Sequence, residues 1–190
     1  MENGMKERIK QVAVGLFDRQ GYHGATIRQI AEGAGCSLPT VYYYFKSKKD
    51  LFREIILGDY FQLLQRHAQQ VTDPDPLEYY TGYISALESL SEEEKRVFRL
   101  GLKVGLRFDG DEELYEAVDA WEKRQIAWHF QKVMPVLGNV DNWSVIIRVL
   151  LQVLENMTLA IVLKGQEFSE DAIRENLRLV LEKGGYAPSL

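Results

Sequence analysis

Residues 21–52 read GYHGATIRQIAEGAGCSLPTVYYYFKSKKDLF and contain the most specific structural pattern in the sequence. Two short helical patterns flank the small residues 34–37, where two backbones can pack closely. Thr26 and Gln29 match the capping box that begins a helix, and Ser37 caps the following segment. Gly35 lies where a turn requires the left-handed conformation. The spacing predicts a helix-turn-helix.

The second helix of this motif carries its aromatic residues on the side away from the core. On a helical wheel Val41 and Phe45 lie together and face the preceding helices, whereas Thr40, Tyr43 and Tyr44 point away. In a helix-turn-helix the second helix enters the major groove of DNA. Hydroxyl groups there can bond phosphates, and tyrosine rings can pack on sugars and thymine methyls. The alternative is an aromatic edge satisfied by a neighbouring helix.

Outward from this motif the chain continues as helices. No sustained period-2 alternation predicts a strand, and capping residues precede one apolar pattern after another, Asp111 among them. Residues 72–76, Thr-Asp-Pro-Asp-Pro, break the pattern before a helix that begins near Leu77. We therefore predict an all-α fold of about nine helices, with a head at residues 1–49 and a body at residues 50–190.

Charge is divided unevenly along the chain. The 190 residues carry a net charge of −5, yet residues 1–55 hold nine Lys or Arg and six Asp or Glu, so that region is +3 and the remainder −8. A basic head on an acidic body permits one face to approach phosphate. The lysines at positions 46, 48 and 49 contribute, although such a cluster is also common on a solvated helix start.

The head resembles the DNA-binding domain of the tetracycline-repressor (TetR) family of bacterial transcription regulators. The resemblance covers roughly the first 55 residues and rests on positions in the family's order and spacing: Gly21-Tyr22, Thr26, Ile30-Ala31, Ala34-Gly35, Ser37, Thr40-Val41-Tyr42, Tyr44-Phe45, Ser47-Lys48 and Leu51. It implies a repressor with a helix-turn-helix head and a helical body that senses a ligand and forms a homodimer.

The same resemblance assigns the DNA contacts. The implied phosphate contacts are Thr26, Ser37, Thr40, Tyr42 and Lys48, and the implied approaches to base edges are Arg28, Leu38, Pro39, Tyr43 and Tyr44. Leu38 departs from the family, which often places a polar or basic residue there. Arg28 is thus the best candidate for a directional contact to guanine.

The last two helical patterns fit a dimer interface. Apolar residues surround the helix between Val145 and Leu163, so it needs cover on two sides. In the final helix an apolar face is formed by Ile173, Leu177, Val180 and Leu181. The resemblance implies a four-helix interface with a two-fold mate; the alternative is that both helices only complete the monomer core.

The middle of the chain concentrates aromatic residues, which the resemblance associates with an effector cavity. The candidate wall residues are Tyr83, Arg99, Trp121, Trp128 and Met134, and the expected effector is small and apolar or amphipathic. A plain aromatic core explains each of them equally well. In the implied mechanism the effector holds the heads at the wrong separation, although some members of the family bind DNA better with ligand.

Other function classes find little support. The three histidines lie far apart, no catalytic fingerprint accompanies them, and the single cysteine, Cys36, cannot build a thiolate metal site, so we expect no enzyme, metal or cofactor. Charged and polar residues interrupt the most apolar stretch, which predicts a buried helix and a cytoplasmic protein without a membrane span. A helical protein-interaction module remains the alternative to an operator-binding protein.

Overall fold

The computed structural model describes residues 2–133, 135 and 143–186. Its elements are α1 (Glu2–Gly24), α2 (Ile27–Ala34), α3 (Leu38–Tyr44), α4 (Lys48–Glu54), a π-helical segment (Ile55–Tyr60), α5 (Phe61–Gln70), α6 (Pro76–Glu88), α7 (Glu92–Gly105), α8 (Glu112–Val133), α9 (Trp143–Lys164) and α10 (Glu170–Lys183). The prediction of an all-α fold is confirmed, and the described residues contain no strand.

One continuous helix joins α4, the π-helical segment and α5. The backbone keeps right-handed helical angles at Glu54, Ile55 and Phe61, where one element gives way to the next. If these three elements are counted as one helix, the described residues form nine helices, which is the number that the sequence predicts. The breaker at residues 72–76 separates α5 from α6, and Asp75 caps α6 through the backbone N–H groups of Leu77 and Glu78.

The chain divides into two compact units. The first contains residues 1–64 and 91–120, and the second contains residues 65–90 and 121–190. The first unit thus combines the predicted head with α7 and the first part of α8. Its core includes Phe17, whose ring meets that of Phe52 edge-on at 5.1 Å.

In the second unit α6, α9 and α10 pack on one another. Their buried residues include Tyr80 and Ile84 of α6, Leu150 of α9, and Leu177 of α10. Ser144–Lys164 is long and apolar enough to cross a membrane by length and composition, but the core helix of a soluble protein passes the same test. Only 39% of this window is buried within the chain, and the exposed side of α9 carries Val145 and Val149 together with Arg148, Gln152 and Glu155.

Candidate nucleic-acid interface

The turn of the helix-turn-helix is closed by backbone hydrogen bonds. Gly35 ends α2 with φ 63° and ψ 38°, the left-handed conformation that costs glycine least. Its N–H donates to the carbonyls of Ala31 and Glu32, and the Cys36 N–H donates to the Ala31 carbonyl at 3.0 Å. The chain thereby turns within four residues, and Ser37 lies at the start of α3.

Both helices of the motif begin at a capping side chain. The Thr26 hydroxyl accepts the Gln29 N–H at 3.2 Å, while Gln29 Oε1 accepts the Thr26 N–H at 2.9 Å, which completes a capping box. Ser37 Oγ accepts the Thr40 N–H at 3.3 Å and lies 2.8 Å from Thr40 Oγ1. Thr26 and Ser37 are exposed, so their structural roles leave them accessible to a phosphate.

The two sides of α3 differ sharply in burial. Val41 and Phe45 are buried in the core, whereas Tyr42 is 53% exposed and Tyr43 is 71% exposed. The Tyr44 ring meets the Tyr43 ring edge-on at 5.0 Å. This helix therefore presents an exposed tyrosine surface, on which Tyr43 lies as the helical wheel predicts, while Tyr42 is exposed and Tyr44 is half-buried.

The remaining candidates for base contacts belong to α2 and α3. Arg28 of α2 and Pro39 of α3 are exposed, and Leu38 and Thr40 are half-buried. Leu38 can therefore offer a partner only part of its apolar side chain. The assignment of these residues to bases or phosphates stays a prediction.

The half-buried Lys48 side chain binds backbone carbonyl groups, a contact that the sequence does not reveal. Its Nζ donates to the backbone carbonyls of Tyr22 at 2.7 Å and Ala25 at 2.9 Å, and it lies 4.5 Å from the centre of the Tyr22 ring. Burial lowers the pKa of Lys48. The ammonium group ties α4 to the residues before α2, and one donor hydrogen is left for a phosphate.

Arg99, a candidate for the ligand site, is engaged within the first unit. Its guanidinium donates to both carboxylate oxygens of Asp18, the shortest contact being 2.7 Å, and also to Glu92 at 2.7 Å. Lys103 adds a bond to the Asp18 carbonyl at 2.9 Å. Although partial burial works in the opposite direction, the bonds and charges of Arg99 and Lys103 hold the pKa of Asp18 below its ordinary value. These contacts fasten α7 to α1.

The other described ligand candidates belong to the second unit. Tyr83 is joined to His67, whose Nε2 lies 2.8 Å from the Tyr83 carbonyl and whose ring meets the tyrosine ring at 4.5 Å. Tyr79 packs against both Tyr83 and Trp128, with ring centres 6.4 Å and 5.6 Å apart. Burial raises the pKa of Tyr79 to about 12. Trp121 is half-buried, and Met134 lies outside the described residues.

Comparison with known proteins agrees with this architecture. Residues 9–55 match the family model described as bacterial regulatory proteins, tetR family. The chain is 30% identical over 95 residues to the HTH-type transcriptional repressor KstR2 of Mycolicibacterium smegmatis, covering 48% of this chain and 46% of that protein. It is 34% identical over 94 residues to the HTH-type transcriptional regulator AcrR of Shigella flexneri, covering 48% and 44%. The matched region thus spans about half the length of these relatives.

Solved structures extend the likeness of fold to nearly the whole chain. A TetR-like transcriptional regulator from Rhodococcus sp. RHA1 superposes with a TM-score of 0.71 at 18% identity, covering 95% of this chain and 94% of that one. The TetR family regulator PfmR from Thermus thermophilus gives 0.67 at 23% identity, covering 92% and 97%. Residues 9–55 thus carry the signature of the tetR family of bacterial regulatory proteins, and the fold of solved TetR-like regulators extends through nearly the whole chain.

Proposed function

We propose that this chain is a sequence-specific DNA-binding transcription regulator, a repressor that a small apolar or amphipathic effector releases from a palindromic operator. The observation that carries the proposal is the surface of α3. Its inner side is fixed in the core by Val41 and Phe45, while Tyr42 and Tyr43 are exposed to solvent. A helix whose inner side is buried and whose outer side carries hydroxyl groups suits insertion into a major groove.

The chain's relatives are transcriptional regulators, and we propose a cytoplasmic regulator rather than an enzyme. In it residues 1–49 bind DNA, and residues 50–190 bind the effector and form the homodimer. Two heads are needed because one head reads only a half-site, and paired half-sites lie roughly 34–36 Å apart. The uncovered side of α9, with Val145 and Val149 exposed, and the exposed Leu179 of α10 support a two-fold mate there.

The first experiment is selection of random duplexes by the purified protein, followed by sequencing of the retained DNA. We expect a near-palindrome with half-sites one helical turn apart. Affinity for it should fall by about 10³–10⁵ between 50 and 200 mM salt if the dimer makes about 6–10 phosphate contacts. Absence of enrichment, even at low salt, would favour the protein-interaction module instead.

Matched variants test whether α3 is the reading surface. Tyr43→Ala should weaken operator binding, whereas Phe108→Ala, which removes a ring with a comparable 75% exposure outside the head, should leave it unchanged. Arg28→Ala should relax sequence preference at one position of each half-site, by about 1–3 kcal/mol of discrimination. Equal losses in the tyrosine and phenylalanine variants would remove α3 from the interface.

The dimer can be tested by sedimentation. Val149→Glu places a charge on the uncovered side of α9 and should yield monomers that fail to bind the full operator. Leu106→Glu is a suitable control because Leu106 is an exposed apolar residue of similar accessibility in the first unit. A Val149→Glu protein that stays dimeric would move the interface elsewhere.

The aromatic residues of the second unit support the effector part of the proposal. Tyr83 and Trp128 both pack on Tyr79, and these rings supply the apolar walls that a ligand site of this class uses. Compounds that shift the melting temperature would be titrated calorimetrically against the Trp121→Ala and Trp128→Ala proteins. Unchanged affinity in both variants would exclude the two tryptophans.

A further inference from the structure

The beginning of α8 brings two carboxylates to two cations of α4. Asp111 lies 3.1 Å from the Lys49 ammonium, and Glu113 lies 2.7 Å from the Arg53 guanidinium and 3.6 Å from Lys49. All four side chains belong to the first unit. The acids are separated from the cations by about 60 residues of sequence, so no local pattern reveals these pairs.

The carboxylates are held in place by the segment that carries them. Asp111 accepts the Leu114 N–H at 3.1 Å and so caps α8. Two residues earlier, Asp109 is buried and accepts the Tyr22 N–H at 3.1 Å, which pins the segment to the end of α1. The acidic pair is therefore a fixed feature of the head's surroundings.

The pair of Asp111 and Lys49 is ionised at neutral pH. The hydrogen bond and charge of Asp111 raise the pKa of Lys49. Partial burial opposes ionisation of Asp111, but the Leu114 N–H and Lys49 lower the pKa of its carboxyl. Both partners therefore carry full charge under conditions in which DNA would bind.

Each of these cations already lies against a carboxylate, and Lys49 is the more exposed of the two. Lys49 and Arg53 lie one turn apart on α4, the helix that follows α3, and the Lys49 side chain is 49% exposed. Lys48 between α3 and Lys49 is engaged by backbone carbonyls. A carboxylate offers these cations the same charge-assisted oxygen acceptors as a DNA phosphate does.

We propose that Asp111 and Glu113 act as internal phosphate mimics, which compete with DNA for Lys49 and Arg53 and thereby limit operator affinity. The inference rests on the proposed DNA-binding function.

The test uses the full-length protein and the operator duplex obtained by selection. Asp111→Asn keeps a capping side chain but removes its charge, and Glu113→Gln is nearly isosteric. Asp119→Asn is the matched control, because Asp119 lies on the same helix and pairs instead with Arg107, at 2.8 Å. Fluorescence anisotropy gives the Kd of each protein between 50 and 200 mM salt.

The Asp111→Asn/Glu113→Gln protein should bind at least about fivefold more tightly than wild type, since several weak ion pairs are lost per dimer. Its plot of log affinity against log salt should be steeper by about 0.9 for each additional phosphate that the protein neutralises. Lys49→Gln should cost more affinity in this background than in wild type. A change no larger than that of Asp119→Asn, or a weaker complex, would overturn the proposal.

Retention on a heparin column separates this inference from the proposed function. Heparin is a polyanion without sequence, so release of Lys49 and Arg53 should delay elution of the double variant even if no operator exists. Delayed elution without any enriched duplex would refute the operator function alone. Unchanged elution together with normal operator binding by wild type would refute the phosphate-mimic proposal alone.

Discussion

Replacement of Gly101 by alanine should destabilise the first unit, although alanine favours helices. Gly101 lies within α7 directly above the ring of Tyr60. A Cβ at this position would stand 2.3 Å from two atoms of that ring and 2.4 Å from a third. The ring cannot easily retreat, because Tyr60 is buried and meets Phe98 edge-on at 5.6 Å.

The expected change in the free energy of unfolding is the difference between two opposing effects. Overpacking a core costs typically ~1–3 kcal/mol, and a contact this short belongs at the upper end. Alanine in place of glycine stabilises the helix by about 1 kcal/mol, because alanine has the higher helix propensity. The net loss is then about 2 kcal/mol, which lowers the melting temperature of a chain of this size by about 4–8 °C. Circular dichroism during thermal and urea unfolding measures both quantities.

Gly58→Ala provides the control. Gly58 belongs to the π-helical segment two residues before Tyr60, and a Cβ there would meet nothing within 4 Å. This variant should be as stable as wild type or slightly more stable. If the Gly101→Ala protein were as stable as the Gly58→Ala protein, the close packing of α7 on the Tyr60 ring would be refuted.

Three further variants test the head and its attachment. Thr26→Ala removes the capping box of α2 and should cost about 0.5–2 kcal/mol in urea unfolding; a smaller effect would mean that the cap is dispensable. Lys48→Met leaves the Tyr22 and Ala25 carbonyls without their ammonium partner and should cost about 1–3 kcal/mol. If Lys48 instead serves mainly as a phosphate contact, stability should hold and the salt slope of DNA binding should fall. Asp18→Asn tests pH dependence: because the folded pKa of Asp18 is depressed, its stabilisation is complete above the unfolded value of about 3.9 and is lost as pH falls through the folded pKa. Wild type should therefore be the more stable protein at pH 6, with the difference shrinking below pH ~4; a constant difference in the free energy of unfolding would exclude the ion pair as its source.

Predictions from the sequence succeed where the determining interactions are local. The capping box joins residues three apart, the cap of α3 likewise joins Ser37 to Thr40, and the turn depends on the freedom of Gly35. Each of these signals fits within one helical turn or one chain reversal. A single sequence therefore contains enough information to place the helix-turn-helix and the exposed Tyr43, although the helical wheel misses the exposure of Tyr42.

Long-range ion pairs escape this kind of reasoning. Arg99 and Asp18 are 81 residues apart, and nothing in the neighbourhood of either residue indicates the other. Arg99 among aromatic residues therefore suggests a polar anchor in a ligand site, whereas the structure shows it paired with Asp18. The sequence likewise does not indicate which lysine of the head binds backbone atoms. Lys48 donates to carbonyl groups, while its neighbour Lys49 pairs with Asp111.

The uncovered side of α9 bears on the choice between a lipid and a protein partner. Apolar residues such as Val145 and Val149 share this exposed side with Arg148, Gln152 and Glu155. A charged side chain near the centre of a bilayer costs about 2.5–3.5 kcal/mol even on the most permissive scale, and two of opposite sign lie seven residues apart here. In a protein interface the same residues can be paired across a two-fold axis or left at a hydrated rim. The mixture of valines, amides and charges on α9 therefore favours a second copy of this chain over a membrane as its cover.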